Sequence, residues 1–256
     1  MYIYYFKSLK PILLNPFDKN KDIGNLDSEE EITIVSANTL TKDDSEFVTQ
    51  ATFNEIDNSV NLWIQEKRYY LRLFASTLAF FIMYFFLSLV IRDPIPLVDE
   101  MGGSVLFAIL AWRFFAKRDK KSAIANKKKL EIKRHVNQAS YKEMKFLQQV
   151  EEYVYNLNSF DNLDIADALT NVEGSVEPIK FDEEEKEFST EFVYLLKKKL
   201  LSNSKFRNYY NKVVKVRESN IKDEALSSRL IEFGRENKFY LLLLNLLIAI
   251  DENKGN

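Results

Sequence analysis

The chain has no cysteine and a single histidine, His135. Disulfides, thiolate metal sites and cysteine nucleophiles are therefore excluded, and so are zinc sites built on several histidines. The absence of cysteine also fits a reducing compartment. His135 follows several basic residues and has no acidic partner suited to orient it, so we interpret it as a surface or packing residue.

Glycine and proline are scarce as well, with 6 and 5 in 256 residues. Such a supply of turn residues is poor for an all-β fold and favours long helices. The one glycine pair, Gly102-Gly103, opens an apolar run rather than a phosphate-binding loop, and no Walker, Rossmann, HExxH, GxSxG or kinase motif occurs. Basic and acidic residues number 36 and 38, which argues against a nucleic-acid binder. The sequence therefore predicts neither an enzyme nor a cofactor site.

The longest apolar run is LFASTLAFFIMYFFLSLVI, 19 residues without a charge from Leu73 to Ile91. At about 1.5 Å per residue, a helix of this length crosses the roughly 30 Å hydrocarbon core of a bilayer. A second run, Met101–Ala116, has only 12 uncharged residues before Arg113, whose long side chain can reach the headgroups. We therefore predict a two-span hairpin with helices at 71–91 and 100–117. A re-entrant second helix is the alternative.

The connector between the two runs contains two prolines and ends in Asp99 and Glu100. Carboxylates at this position complement the positive end of the following helix. The alternative is a pore mouth, in which an oligomer arranges Asp99 and Glu100 as an acidic ring.

Charged residues flank the hairpin unevenly. Lys67, Arg68 and Arg72 precede the first run and a basic stretch follows the second, whereas the connector has one arginine against three acids. The positive-inside rule then predicts an inner (cytoplasmic) membrane protein with both termini in the cytoplasm.

Small residues at matching depths predict how the two spans pack, because small side chains let antiparallel helices approach closely. The expected packing residues are Ala75, Ala79, Ser104, Ala108 and Ala111. The bulky rings of the first span suit lipid or an apolar partner. Neither span has an acid, lysine or histidine at mid-depth, which argues against proton relays and ion-coupled transport.

Between Lys117 and Arg134 there are nine basic residues and two acidic ones. This stretch is either a solvated face that fixes topology or a site for anionic lipid headgroups. Nucleic-acid binding is disfavoured because no stacking aromatics are interleaved with the charges. The candidate headgroup ligands are Lys117, Arg118, Lys120, Lys121, Lys127, Lys128 and Lys129.

The remaining segments predict helices around the hairpin. Residues 1–70 form an N-terminal cytoplasmic segment, in which EITIV (31–35) is a strand candidate and a helix from about Lys42, capped by Thr41 or Asp43, runs toward the first span. Residues 1–17 are either a strand or short helix packed on a domain or a segment in the membrane interface. Residues 119–158 contain neither glycine nor proline, which predicts a juxtamembrane helix over 118–158. Residues 159–256 predict a C-terminal helical bundle. The run at 239–250 is a buried core helix or a contact with membrane or partner.

The fold class expected is thus an all-α membrane protein. Its layout of leading helix, hairpin and trailing helix is similar to that of two-span bacterial conflict effectors of the SLATT type. The similarity is one of architecture and carries over no motif and no residue. We expect a membrane-anchored scaffold or accessory subunit that contacts membrane lipids and binds protein partners or further copies of itself, without nucleic acid. The alternatives are an oligomeric pore or membrane-disrupting effector and a regulator that binds phospholipid through residues 117–134.

Overall fold

The computed structural model describes residues 1–17, 23, 31–91, 99–171, 176, 178–179, 181–219 and 222–252. Most of these residues are helical, and a small sheet is present. The helices are α1 Lys42–Lys67, α2 Tyr69–Ile91, α3 Asp99–Lys120, α4 Ala123–Asn137, α5 Lys145–Leu157, α6 Asn162–Thr170, α7 Lys186–Leu201, α8 Ser204–Ser219, α9 Glu224–Glu236 and α10 Lys238–Glu252. The strands are β1 Tyr2–Lys7, β2 Pro11–Leu14, β3 Thr33–Ser36 and β4 Ser140–Glu143.

The chain divides into two compact units. The first, which we call the sheet–helix unit, comprises residues 1–16, 32–48 and 139–256; the second, the hairpin unit, comprises 17–31 and 49–138. The chain thus enters the sheet–helix unit at both of its ends, and the hairpin unit is formed by the segments between them.

The four strands form one sheet in the order β2-β1-β3-β4. β1 pairs antiparallel with β2 and parallel with β3, and β3 pairs parallel with β4. The prediction of an all-α protein is therefore wrong in this respect. The strand option for residues 1–17 is confirmed, as is the strand predicted at EITIV. Four consecutive β1 residues, Ile3–Phe6, are buried, so this strand is a continuous apolar run covered on both faces rather than a strand with alternating polarity.

β4 interrupts the single helix predicted over residues 118–158. α3 ends at Lys120, α4 follows after Ser122, and β4 lies between α4 and α5. All four β4 side chains are exposed, and backbone pairing joins the strand to β3: the amide of Ser140 donates to the carbonyl of Ile32 at 3.1 Å, and that of Met144 to Ser36 at 3.0 Å. Side-chain hydrogen bonds add to this pairing, among them that between the hydroxyls of Ser140 and Thr33 at 3.0 Å. Pairing with a segment about a hundred residues away overrides a local sequence that has no helix breaker.

The core of the sheet–helix unit is centred on α10. Every residue of α10 from Leu241 to Ile250 is buried, and α10 contacts α5, α6, α8 and α9. The buried-core-helix interpretation of residues 239–250 is therefore confirmed. At the sheet, the rings of Tyr4, Phe6, Phe146 and Phe192 meet edge to face, a preferred aromatic geometry.

The hairpin unit contains the predicted first span. α1 starts as predicted, with the amide of Asp44 donating to the Thr41 hydroxyl at 3.2 Å, and it ends one residue before α2. α2 is the one helix of the described residues that is long and apolar enough to cross a membrane, over Tyr69–Val90 with a mean hydropathy of 2.2. The helix predicted for the second span is present as α3, but α3 does not meet the same test of length and composition. The structure thus supports one candidate membrane-spanning helix.

Candidate membrane anchor

α2 and α3 pack against each other as an antiparallel pair. At one end, the ring of Tyr69 meets that of Trp112 at a centroid distance of 5.5 Å. At the other end, a Cβ atom on Gly103 would lie 2.9 Å from Cδ1 of Leu87, so the two helices approach closely there and a side chain at this position would have to displace the end of Leu87. The start of α2 therefore lies beside the end of α3, and the end of α2 beside the start of α3.

Four residues form what we call the hairpin-base cluster: Arg68 and Arg72 of the α1–α2 segment and Trp112 and Asp119 of α3. Nη1 of Arg68 lies 2.8 Å from Oδ1 of Asp119, and Nε of Arg72 lies 3.6 Å from Oδ2. The Arg72 guanidinium stacks over the Trp112 ring at 4.9 Å and also donates to the Gln65 carbonyl. One carboxylate thus faces two guanidinium groups, a charge-assisted contact that also fixes the relative position of the helices.

Arg72 and Asp119 are each only 5 % exposed. An isolated charge in such a place would be costly, whereas a pair compensates for much of its desolvation. Sequence reasoning used Arg68 and Arg72 only as flanking cations and did not assign a role to Asp119. The signal that could have identified the cluster is an acid between the basic residues Lys117 and Lys121, at the end of the second apolar run, which an antiparallel hairpin brings beside the cations before the first span.

The predicted helix-packing residues lie along the α2–α3 pair. Ser104 is fully buried and donates from its hydroxyl to the Glu100 carbonyl at 2.5 Å, which satisfies the hydroxyl within its own helix. The four predicted alanines, Ala75, Ala79, Ala108 and Ala111, are half-buried. Ser76, which sequence reasoning did not single out, is also buried, with its hydroxyl bonded to the Leu73 carbonyl at 2.9 Å.

The sides of both helices that face away from the pair are apolar and exposed. On α2 the exposed large side chains include Phe74, Leu78, Phe81, Ile82, Phe85, Phe86 and Leu89, and on α3 they include Leu106, Phe107, Leu110 and Phe114. Soluble surfaces seldom carry a contiguous apolar patch of this extent. Exposure of this apolar surface of α2 and α3 to water would therefore be unfavourable.

The candidate headgroup ligands divide into two groups. Lys117, Arg118, Lys120 and Lys121 are exposed and lie in the last turn of α3 and the residue after it, close along the chain to Asp119. Lys127, Lys128 and Lys129 lie on α4, where Lys127 is exposed and the other two are half-buried. α4 packs toward α1, because Nζ of Lys133 lies 2.8 Å from Oδ1 of Asp57 and over the ring of Phe53. The first group is thus nearer the start of the apolar span.

Of the two acids in the pore-mouth hypothesis, only Glu100 has a side chain among the described residues. The side chain of Asp99 lies outside the described residues. Glu100 is only 3 % exposed, and its Oε1 has no hydrogen-bond partner in the described part of the chain. In the single chain Glu100 therefore does not present its carboxylate to an open surface, and the pore mouth stays a prediction.

Within the described ranges, no three His, Asp or Glu side chains come together in a way that could hold a metal ion. Comparisons with protein-family models, with curated proteins and with solved structures found no match for this chain. The proposals below therefore depend on the sequence and its structure alone.

Proposed function

We propose that the protein is a membrane-anchored interaction protein, a scaffold or accessory subunit of a larger assembly, in which the α2–α3 hairpin inserts into a bilayer and carries the sheet–helix unit. The observation that supports the anchor best is the contrast between its two most apolar helices. α10 is buried from Leu241 to Ile250 within its own unit, whereas only 6 % of the residues in the apolar stretch of α2 are buried. An apolar helix that its own chain leaves largely exposed needs another apolar environment.

A second crossing by α3 is part of this proposal. α3 has 22 residues, which at about 1.5 Å each give about 33 Å, the length that α2 needs to span the hydrocarbon core. Pairing along α2 covers Ser104 and the Gly103 backbone. Arg113 lies two turns from the end of α3 and is exposed, so its guanidinium can extend to the headgroups.

The orientation that we propose puts the hairpin-base cluster and both chain termini on the cytoplasmic side of an inner membrane. Cations surround that base, and anionic lipid headgroups attract basic residues near the surface. Because Asp119 pairs with Arg68 and Arg72, the headgroup contacts fall to the exposed cations of the α3 end, Lys117, Arg118, Lys120 and Lys121.

The interaction role belongs to the sheet–helix unit. Its surface carries large exposed aromatic side chains, among them Tyr141, Tyr155, Phe160 and Tyr194. Tyrosine and phenylalanine are enriched in protein–protein interfaces. We expect this unit to bind protein partners or a second copy at the membrane surface.

The anchor is tested by replacing Leu78 and Ile82, which share one exposed side of α2 near its middle. In Leu78→Arg/Ile82→Arg, each arginine should oppose insertion by about 3 kcal/mol, so the protein should leave the membrane fraction or fail to accumulate. Leu130→Arg is the matched control, because Leu130 is an equally exposed leucine on α4. Wild type and the control should resist extraction with alkaline carbonate. Extraction of the wild type in that buffer would overturn the anchor.

The interaction role is tested separately by gentle solubilisation followed by native mass spectrometry. A defined oligomer or a stoichiometric partner is expected. A stable monomer without any partner, obtained from native membranes, would contradict the scaffold proposal and leave the anchor standing.

A further inference from the structure

A cavity of about 370 Å³ opens into the sheet–helix unit between α5, α6 and α10. This volume lies within the range of small-molecule sites, roughly 300–1,000 Å³. Much of its described lining is apolar, with Leu157, Phe160, Ile165 and Ala168 among the walls, and four polar side chains also border it: Tyr153, Asn156, Asp164 and Asn245.

Asn245 is the unusual member of this lining. It is the one polar side chain among the ten buried residues of α10 from Leu241 to Ile250, and it is only 1 % exposed. Its Oδ1 accepts a hydrogen bond from the Tyr153 hydroxyl at 2.5 Å. Its Nδ2 makes no hydrogen bond with any described residue. Asn245 borders the cavity, so its Nδ2 can donate a hydrogen bond to an acceptor placed there.

The charge of the lining indicates which kind of ligand the cavity can bind. The described residues that border the cavity include Asp164 and no lysine or arginine. An anionic ligand would meet the Asp164 carboxylate, which disfavours it. A neutral ligand suits both the apolar walls and the buried Asn245 amide.

We propose that this cavity is a binding site for a small, neutral, largely apolar molecule with one hydrogen-bond acceptor, such as an aryl ketone. Its carbonyl oxygen accepts from Nδ2 of Asn245, and its ring lies against Leu157, Ile165 and Ala168. The Tyr153 hydroxyl fixes the Asn245 amide so that Nδ2 faces the ligand. This site lies in the sheet–helix unit and does not depend on the proposed membrane anchor.

The absence of cysteine makes a clean test possible in the full-length protein. Asn156→Cys places a thiol at the exposed rim of the cavity, and Leu163→Cys places one on an exposed α6 position that does not line it. Each variant is equilibrated in reductant with two disulfide probes that differ in one group, a 4-acetylphenyl disulfide and its 4-ethylphenyl analogue. The fraction of protein captured by each probe is read by intact mass.

We expect the ketone to be captured by Asn156→Cys about fivefold more than the ethyl analogue, the factor of one net hydrogen bond of about 1 kcal/mol. Leu163→Cys measures the intrinsic difference between the two probes in disulfide exchange, which follows the pKa of each aryl thiol, and the fivefold factor is expressed relative to it. Equal ratios of ketone to ethyl capture at Asn156→Cys and Leu163→Cys would overturn the proposal.

Two further substitutions in the Asn156→Cys background test the role of each wall. Asn245→Leu keeps a similar side-chain volume and removes the donor, so the ketone preference should fall to the ratio that Leu163→Cys shows. Ala168→Phe fills the cavity, so capture of both probes should fall to the level of Leu163→Cys. Thermal unfolding identifies any variant that no longer folds, and the comparison of probes at Asn156→Cys stands without them. A ketone preference that persists in a folded Asn245→Leu variant would show that Asn245 is not the donor.

Discussion

At the scale of single residues, Asp119 determines more of the anchor than its position in the sequence suggests. It lies in the stretch 117–134, which has nine basic residues, and by composition alone it only lowers the net positive charge of that stretch by one. In the structure its carboxylate joins α3 to Arg68 and Arg72. Because Arg72 and Asp119 are both buried, removing one leaves the other as an uncompensated charge.

Asp119→Asn should therefore lower the stability of the hairpin unit by about 3 kcal/mol. Asp57→Asn is the comparison variant: Asp57 is also 2.8 Å from its cation, Lys133, but the two side chains are 39 % and 23 % exposed, so the loss of this less buried pair should cost less, about 1 kcal/mol. Unfolding in a mixed-detergent titration measures both. Equal losses in the two variants would show that the hairpin-base cluster does not hold the helices together.

Two carboxyl groups of the sheet–helix unit have pKa values shifted in opposite directions. Burial raises the pKa of Glu191, although the hydroxyl of Tyr4 donates to this carboxylate at 3.2 Å and opposes the shift. Hydrogen bonds from Lys7, Thr41 and Tyr5 lower the pKa of Asp44 well below its usual range. The folded state thus disfavours the charge on Glu191 and favours the charge on Asp44.

Glu191→Gln should raise the melting temperature at neutral pH, because glutamine keeps an acceptor for Tyr4 without the buried charge. Because the pKa of Glu191 is raised in the folded state, the wild type loses stability as the pH rises above the pKa of the unfolded chain, about 4.3. The loss is complete once the pH exceeds the pKa of the folded state. The gain of the variant should therefore vanish below about pH 4. A gain that is independent of pH would exclude the charge as its cause.

Asp44→Asn should show the opposite behaviour. The lowered pKa of Asp44 contributes stability that is present above the unfolded value of about 3.9 and is lost as the pH falls through the folded value. The variant should melt earlier than wild type at pH 7, and the difference should shrink as the pH falls below about 4. Thermal unfolding from pH 3 to pH 8 measures both variants side by side.

At the scale of elements, local pattern predicted several helices, α1, α2 and α10 among them, but predicted one helix over residues 118–158, where the structure has α4, β4 and α5. The uncharged run in α2, the Thr41 cap of α1 and the apolar run of α10 are all local signals, and the elements formed where these signals lie. β4 has the sequence Ser-Tyr-Lys-Glu, without the apolar alternation of a half-buried strand. Its pairing with β3 is a contact between distant segments, which periodicity does not report.

Replacing the two neighbouring glycines of α3 should have different effects on the stability of the α2–α3 pair. A Cβ on Gly103 would press on Leu87, whereas a Cβ on Gly102 would meet nothing within 4 Å. Both replacements by leucine gain similar helix propensity, at most about 1 kcal/mol. Gly103→Leu should nevertheless destabilise the pair by about 1–3 kcal/mol through overpacking, and Gly102→Leu should not. Mixed-detergent unfolding of the two variants checks this, and equal stability would mean that the helices do not meet at Gly103.

At the scale of the whole molecule, the proposed topology predicts which parts of the chain share a side of the membrane. Met101 at the start of α3 should lie outside, while Tyr141 and Leu163 should lie in the cytoplasm with both termini. All three side chains are exposed in the structure, and the chain has no other thiol. In intact cells, an impermeant maleimide should label Met101→Cys and leave Tyr141→Cys and Leu163→Cys unlabelled until the cells are opened. Labelling of all three from the same side would indicate that α2 and α3 do not form a crossing hairpin.

Composition and contiguous residues are enough to predict a mainly helical chain, to exclude cysteine and multi-histidine chemistry, and to identify one uncharged run long enough to span a bilayer. These properties depend on residue counts and on neighbouring residues, so they can be inferred without knowing how the chain folds. Three features depend on the folded chain instead: residues 1–16 join residues 139–256 around a four-stranded sheet, Asp119 faces Arg68 and Arg72, and Asn245 borders a cavity. Each of these is a contact between residues about fifty or more positions apart, and such contacts are set by how the elements pack, since hydrophobic periodicity specifies which face is buried without specifying what covers it.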